Sequence, residues 1–185
     1  MRQSGRQIVL SLVLLAGVGA SLIAAPGPEG LSGAFLAALM LAIAIVDSDR
    51  YIIPNELIAA ALALGLLRAA TLGPDADWRD AIWAALRAAS VALPFLGLMA
   101  GYRRWRGRDG LGLGDVKLAA VAGAWLGLVA IFAAIELATL SALGAYLIGA
   151  YVQKRPLKST AFLPFGLFLA PAVWIGWLVE VLLLN

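Results

Sequence analysis

The chain has 185 residues, of which 63% are hydrophobic and 14% charged, and its mean hydropathy is +0.94; ordinary soluble domains hold roughly 45–50% apolar residues. That balance excludes a soluble globular protein and predicts an all-α, polytopic transmembrane helix bundle. Cysteine and histidine are both absent and the net charge is +3, so disulfides, thiolate metal sites and Ser-His or Cys-His nucleophile systems are excluded.

Arg2 and Arg6 precede an apolar run over 8–25, which at roughly 18 residues is long enough to span a bilayer. A basic start and small residues at Ala24-Ala25 also fit a signal-like or accessory helix; the reading taken is a retained span. Pro26, Gly27, Pro28 and Gly30 mark 26–32 as a breaker segment. A second span, 33–46, delivers Asp47, Asp49 and Arg50 to its end. Tyr51-Ile-Ile-Pro54 reads as extended, because the residue before a proline is pushed out of the helical region. Asn55 and Glu56 open a third span that continues to about residue 70.

The turn-rich segment 71–80, with Gly73-Pro74-Asp75, leads into a fourth span, 81–101, flanked by Trp78 and Trp83 at interfacial positions. It contains Arg87, expected to snorkel or face the interior, and Pro94, expected to kink it. After the basic run Arg103, Arg104, Arg106 and Arg108, the apolar stretch 118–152 would reach about 52 Å as one helix, against a core near 30 Å. It is therefore split near 125–129 into a fifth and a sixth span. Lys154, Arg155 and Lys158 form another basic loop. A seventh span, 161–183, is expected to be interrupted by Pro164-Phe-Gly166 and again at Pro171.

Charge placement orients these segments. With the N-terminus cytoplasmic, the inner side holds Arg2, Arg6, Arg50, Arg103, Arg104, Arg106, Arg108, Lys117, Lys154, Arg155 and Lys158, eleven of the fourteen basic residues. That asymmetry fits seven spans with the C-terminus outside. The basic residues thus read as topology signals and not as a nucleic-acid patch, and no nucleic-acid partner is expected. The same scheme brings Asp47 and Asp115 to one side of the membrane.

Asp115 lies in Gly110-Leu-Gly-Leu-Gly-Asp-Val-Lys117. Glycine at every second position lets another chain approach the backbone, and Asp115 falls at or near a helix N-cap, a favoured place for aspartate. Each acid alone has a plain reading, a solvated helix end or a cap. As a pair, two carboxylates can divide peptide hydrolysis: one takes a proton from water and the other donates to the carbonyl oxygen. Asp47, at a helix C-terminus, is expected to hold the proton, and Asp115, at an N-terminus, to be ionised. No metal or other cofactor is expected.

The sequence resembles the type IV prepilin peptidase family of GxGD-type intramembrane aspartic proteases. Gly112-Leu-Gly114-Asp115-Val-Lys117 matches its GxGDxK motif, and Asp47, followed by six residues and Pro54-Asn55, matches its first motif. On that pattern the catalytic acids are Asp47 and Asp115, with Asp49 as a stand-in for Asp47 should the register differ. Pro54, Asn55, Gly112, Gly114 and Lys117 are implied as substrate-binding or site-shaping residues. Gly123-Ala-Trp-Leu126 and Pro164-Phe-Gly166 with Phe168-Leu-Ala170 extend the resemblance over about 33–172. It implies a single transmembrane peptidase domain over 1–185 in a bacterial inner membrane. The implied activity is removal of leader peptides from prepilin or pseudopilin precursors at the cytoplasmic face, with membrane lipid as the other partner. Larger members carry a cysteine-containing cytoplasmic domain and N-methylate the product; without those cysteines, methylation is not expected. Two competing readings are a small transporter subunit using Asp47, Arg87 and Glu136 as intramembrane charges, and a non-enzymatic pilus or secretion assembly protein.

Overall fold

A computed structural model of the chain describes residues 2–72, 76–107, 112–154, 156 and 163–184. Gly73, Pro74, Asp75, Arg108, Gly110, Arg155, Lys158 and Ala161, expected in turn, basic-loop, glycine-stretch or span-start positions, lie outside the described residues. The described residues form seven helices: α1 (Arg2–Ala24), α2 (Pro28–Arg50), α3 (Asn55–Thr71), α4 (Trp78–Arg106), α5 (Leu113–Trp125), α6 (Leu128–Val152) and α7 (Phe165–Leu184). Five of them, α1, α2, α4, α6 and α7, are long and apolar enough to cross a membrane. The chain is a multi-pass helical membrane protein. α3 and α5, at 17 and 13 residues, are shorter.

The core runs along α2, α5 and α7. Leu36, Met40 and Ile43 of α2, Leu118, Val121 and Trp125 of α5, and Leu169, Val173 and Trp177 of α7 are all at most 2% exposed. α2 packs against α1, α3 and α7; α5 packs against α3, α4 and α7; α6 leans mainly on α7. The outer surface is also apolar, with Ile8, Leu12 and Leu15 of α1 and Phe132, Leu140 and Ile148 of α6 exposed. A soluble bundle would carry charges on those faces, whereas a bilayer solvates them.

Three local expectations change. The breaker segment is shorter than its composition suggests: Pro28 is already helical, preceded by Gly27 at φ 100°. A proline at the first helical position lacks only an N–H that would have no partner anyway. Tyr51 is not extended but left-handed, at φ 55°, and its N–H donates to the Asp47 carbonyl to close α2. Pro171 does not interrupt α7, which begins directly after Pro164 and runs through to its end. Neighbouring helices in a bundle tolerate the one hydrogen bond that proline removes. The split between α5 and α6 falls at Leu126-Gly127, inside the expected window.

Candidate active site

Asp47 sits in the last turn of α2 and is only 5% exposed. Its carboxylate is held from across the bundle: the backbone N–H of Leu167, in the first turn of α7, donates to Asp47 Oδ2 at 2.9 Å. Gly166 makes that approach feasible, since a Cβ there would lie 2.9 Å from Asp47 Oδ2 and 2.7 Å from Ile53 Cδ1. A buried carboxylate away from water needs such a donor, and the opening turn of a helix has N–H groups to spare.

Asp115 is half-buried at the third position of α5. It lies near the N-cap, as its sequence position suggested; the cap itself is Gly112. The Asp115 side chain reaches back to accept the Gly112 N–H at 3.2 Å, as the acidic residue of a capping box does. Gly114 packs against Ile53, whose Cβ lies 3.0 Å from where a glycine Cβ would be. Ile53 is 8% exposed and is wedged between Gly114 of α5 and Gly166 of α7. Ile53 thus links the turn that carries Asp115 to the turn that holds Asp47, and the two acids are near enough to interact electrostatically.

Asp47 and Asp115 lie at the helix ends expected of them, the last turn of α2 and the first turn of α5. Asp47 lies at the C-terminal end of its own helix, but the group that touches its carboxylate is the N-terminal turn of α7. Both acids therefore accept from N–H groups at helix starts, and helix-end placement no longer distinguishes them.

The other sequence candidates gather around this pair. Pro54 takes an extended conformation, ψ 133°, and is the N-cap of α3. Asn55 and Lys117 meet, with Lys117 Nζ donating to Asn55 Oδ1 at 2.7 Å. The two sequence motifs thus touch twice, once buried at Ile53 and Gly114 and once exposed at Asn55 and Lys117. Asp49 stands apart. It is exposed and paired bidentately with Arg6 of α1 at 2.7 and 2.8 Å. Of the intramembrane charges, Arg87 is half-buried and donates to the Gly123 carbonyl at 3.4 Å, while Glu136 is exposed on α6. Asp47, Arg87 and Glu136 belong to three different helices.

Sequence reasoning assigned no role to Ile53, Gly166 or the Leu167 amide. The only signals available were the Ile-Pro and Phe-Gly pairs within the two motif regions. Nothing local announces that residues 120 positions apart would share a hydrogen bond.

A sequence model of the type IV leader peptidase family matches residues 34–152. The prepilin leader peptidase/N-methyltransferase of Aeromonas hydrophila is 31% identical over 171 residues, covering 92% of this chain and 57% of the relative. The protein of the same name from Stutzerimonas stutzeri is 32% identical over 142 residues, covering 75% of this chain and 46% of the relative. Leader peptidase HopD of Escherichia coli is 34% identical over 143 residues, covering 76% of this chain and 88% of the relative. The chain thus spans about half the length of the first two relatives and most of the third. No solved structure matches it.

Proposed function

The chain belongs to the type IV leader peptidase family, and from that premise we propose that it is a membrane-embedded aspartic endopeptidase that removes leader peptides from prepilin or pseudopilin precursors. The observation that carries the reading is the convergence of Asp47 and Asp115 on one end of the bundle, held by Ile53 between Gly114 and Gly166.

In this reading the pair shares one proton. The ionised carboxylate takes a proton from a water molecule as its oxygen attacks the scissile carbonyl carbon, and the protonated carboxyl donates to the carbonyl oxygen. A tetrahedral diol forms. Its collapse breaks the C–N bond, with the proton gained from water passing to the leaving nitrogen. Exposed Gly112 leaves the backbone beside Asp115 open to an extended peptide, Gly114 makes room for Ile53, and Pro54, Asn55 and Lys117 shape the rim.

Location follows from charge. Arg50 closes α2 beside Asp47, Arg103, Arg104 and Arg106 close α4 shortly before the helix of Asp115 begins, and Lys154 follows the end of α6. An excess of Lys and Arg marks the cytoplasmic side, so the site faces the cytoplasm across a bacterial inner membrane. The basic end of α4, with exposed Trp105 beneath Arg106, suits anionic lipid headgroups. The proposal covers the peptidase step alone.

The test is precursor cleavage by membranes containing the protein. Wild type should shorten a prepilin, whereas Asp47→Asn and Asp115→Asn should leave it intact while inserting normally. Full cleavage by either variant would remove the paired-acid reading.

A further inference from the structure

The helix that carries Asp115 is short. At 13 residues α5 is about 20 Å long, against a hydrocarbon core near 30 Å. With Asp115 at one membrane edge, the far end of α5 stops inside the apolar depth. Its last carbonyls have no partners within the helix, and hydrocarbon offers none.

Two arginines from other helices supply them. Arg87 lies nine residues into α4, about 13 Å along its axis, and its Nε donates to the Gly123 carbonyl at 3.4 Å. Arg68, in the last turn of α3, points Nη1 at the Trp125 carbonyl at 3.5 Å and lies 5.6 Å from the centre of the Trp125 ring. Both place positive charge at the negative end of the α5 dipole.

Arg68 is itself held. Glu29, at the start of α2, accepts from Arg68 Nε at 2.7 Å and from Trp177 Nε1 at 3.1 Å. Glu180 of α7 accepts the Gly127 N–H at 2.8 Å, where α6 begins. The rest of α5's packing is mostly apolar, apart from Trp125 Nε1, which donates to the Ala61 carbonyl at 2.8 Å, and Lys117, which donates to Asn55; a Cβ at Gly123 would lie 2.7 Å from Ala88 Cα. Smooth apolar contacts of that kind resist separation of two helices more than sliding along their axis. The directional contacts of the arginines, together with those of Trp125 and Lys117, fix the axial position.

We propose that Arg68 and Arg87 are positioning residues for Asp115, setting how far α5 projects toward Asp47 from the opposite end of the same helix. A rigid helix passes a displacement at Trp125 to Asp115 undiminished, and a misplacement of about 1 Å at a reacting group can cost as much as 10²-fold in rate. The proposal rests on the reading that Asp115 takes part in peptide cleavage, so its test needs a readout independent of cleavage.

The full chain in lipid nanodiscs carries nitroxide labels at L113C, the exposed start of α5, and at T71C, the exposed far end of α3. Spin–spin distances are measured in this background and in Arg68→Gln, Arg68→Lys and Arg87→Gln versions of it. Cleavage of a prepilin is followed in parallel on the unlabelled proteins. Arg68→Gln should shift or broaden the 71–113 distance and lower kcat by about 10-fold or more at unchanged KM. Arg68→Lys, which keeps charge and a donor, should restore both in part. An unchanged distance in Arg68→Gln overturns the proposal, as does a fall in kcat without a change in distance. If Arg68→Gln does not fold, Arg87→Gln is judged by the same two criteria. A wild-type protein that cleaves no precursor would instead count against the proposed function, with the distances still deciding whether the arginines hold α5.

Discussion

Lys117 Nζ donates a 2.7 Å hydrogen bond to Asn55 Oδ1, joining the second turn of α5 to the first residue of α3 outside the pair of acids. Both side chains are exposed, so the bond is reachable by solvent, yet it ties together the two segments that bracket the site. A hydrogen bond to a charged group is worth about 1.5–3 kcal/mol when sheltered, and exposure lowers that. A double-mutant cycle of Lys117→Met and Asn55→Ala on precursor cleavage should therefore show a coupling of about 1 kcal/mol, roughly five-fold. Strict additivity would mean that the contact does not operate during turnover.

Gly166→Ala should be severe. Its new methyl would lie 2.9 Å from Asp47 Oδ2 and 2.7 Å from Ile53 Cδ1, distances that real Cβ atoms do not tolerate, so Asp47 or the start of α7 must move. Cleavage should drop by about 10- to 100-fold. Adding Ile53→Val removes the Cδ1 clash but not the carboxylate clash, so only a small part of the activity should return. Steady-state rates of the single and double variants, normalised to inserted protein, measure this.

Asp49→Asn should keep most of the activity. The Asp49 carboxylate is exposed and paired with Arg6, and such surface pairs are worth about 0–1 kcal/mol. A dead Asp49→Asn alongside an active Asp47→Asn would show that the exposed acid, and not the buried one, does the chemistry.

Topology can be read by thiol labelling, because the chain contains no cysteine to remove. W105C, at a position 79% exposed beside the basic end of α4, should react with an impermeant reagent only after the cells are opened. A76C, ahead of α4, should react in intact cells. Reaction of W105C in intact cells would invert the proposed orientation.

The helices were largely legible from the sequence, because apolar runs bounded by Pro, Gly and charge leave few alternatives in a membrane. Even the division of 118–152 followed from bilayer thickness alone, and it falls at Leu126-Gly127. Asp47 and Asp115 could be brought to one membrane face by counting basic residues. What surrounds each carboxylate could not be read so. The amide that holds Asp47 comes from Leu167, 120 positions away, and the arginine at the end of α5 is 57 positions from Trp125. Hydropathy reports that a segment is buried in lipid or protein but not which neighbour it meets. Local spacing placed Asp115 only to within a turn of the N-cap, because a glycine N-cap with an acid at the third helical position resembles an acid at the cap.

Ile53 has a consequence for how the site is dimensioned. Its side chain packs against both the first turn of α5 at Gly114 and the first turn of α7 at Gly166, the turns that carry Asp115 and hold Asp47. The branched four-carbon side chain therefore lies as a spacer between these two turns, although it carries no polar atom. A family member with a shorter or longer residue there would hold its acids at a different distance without any change to the acids themselves.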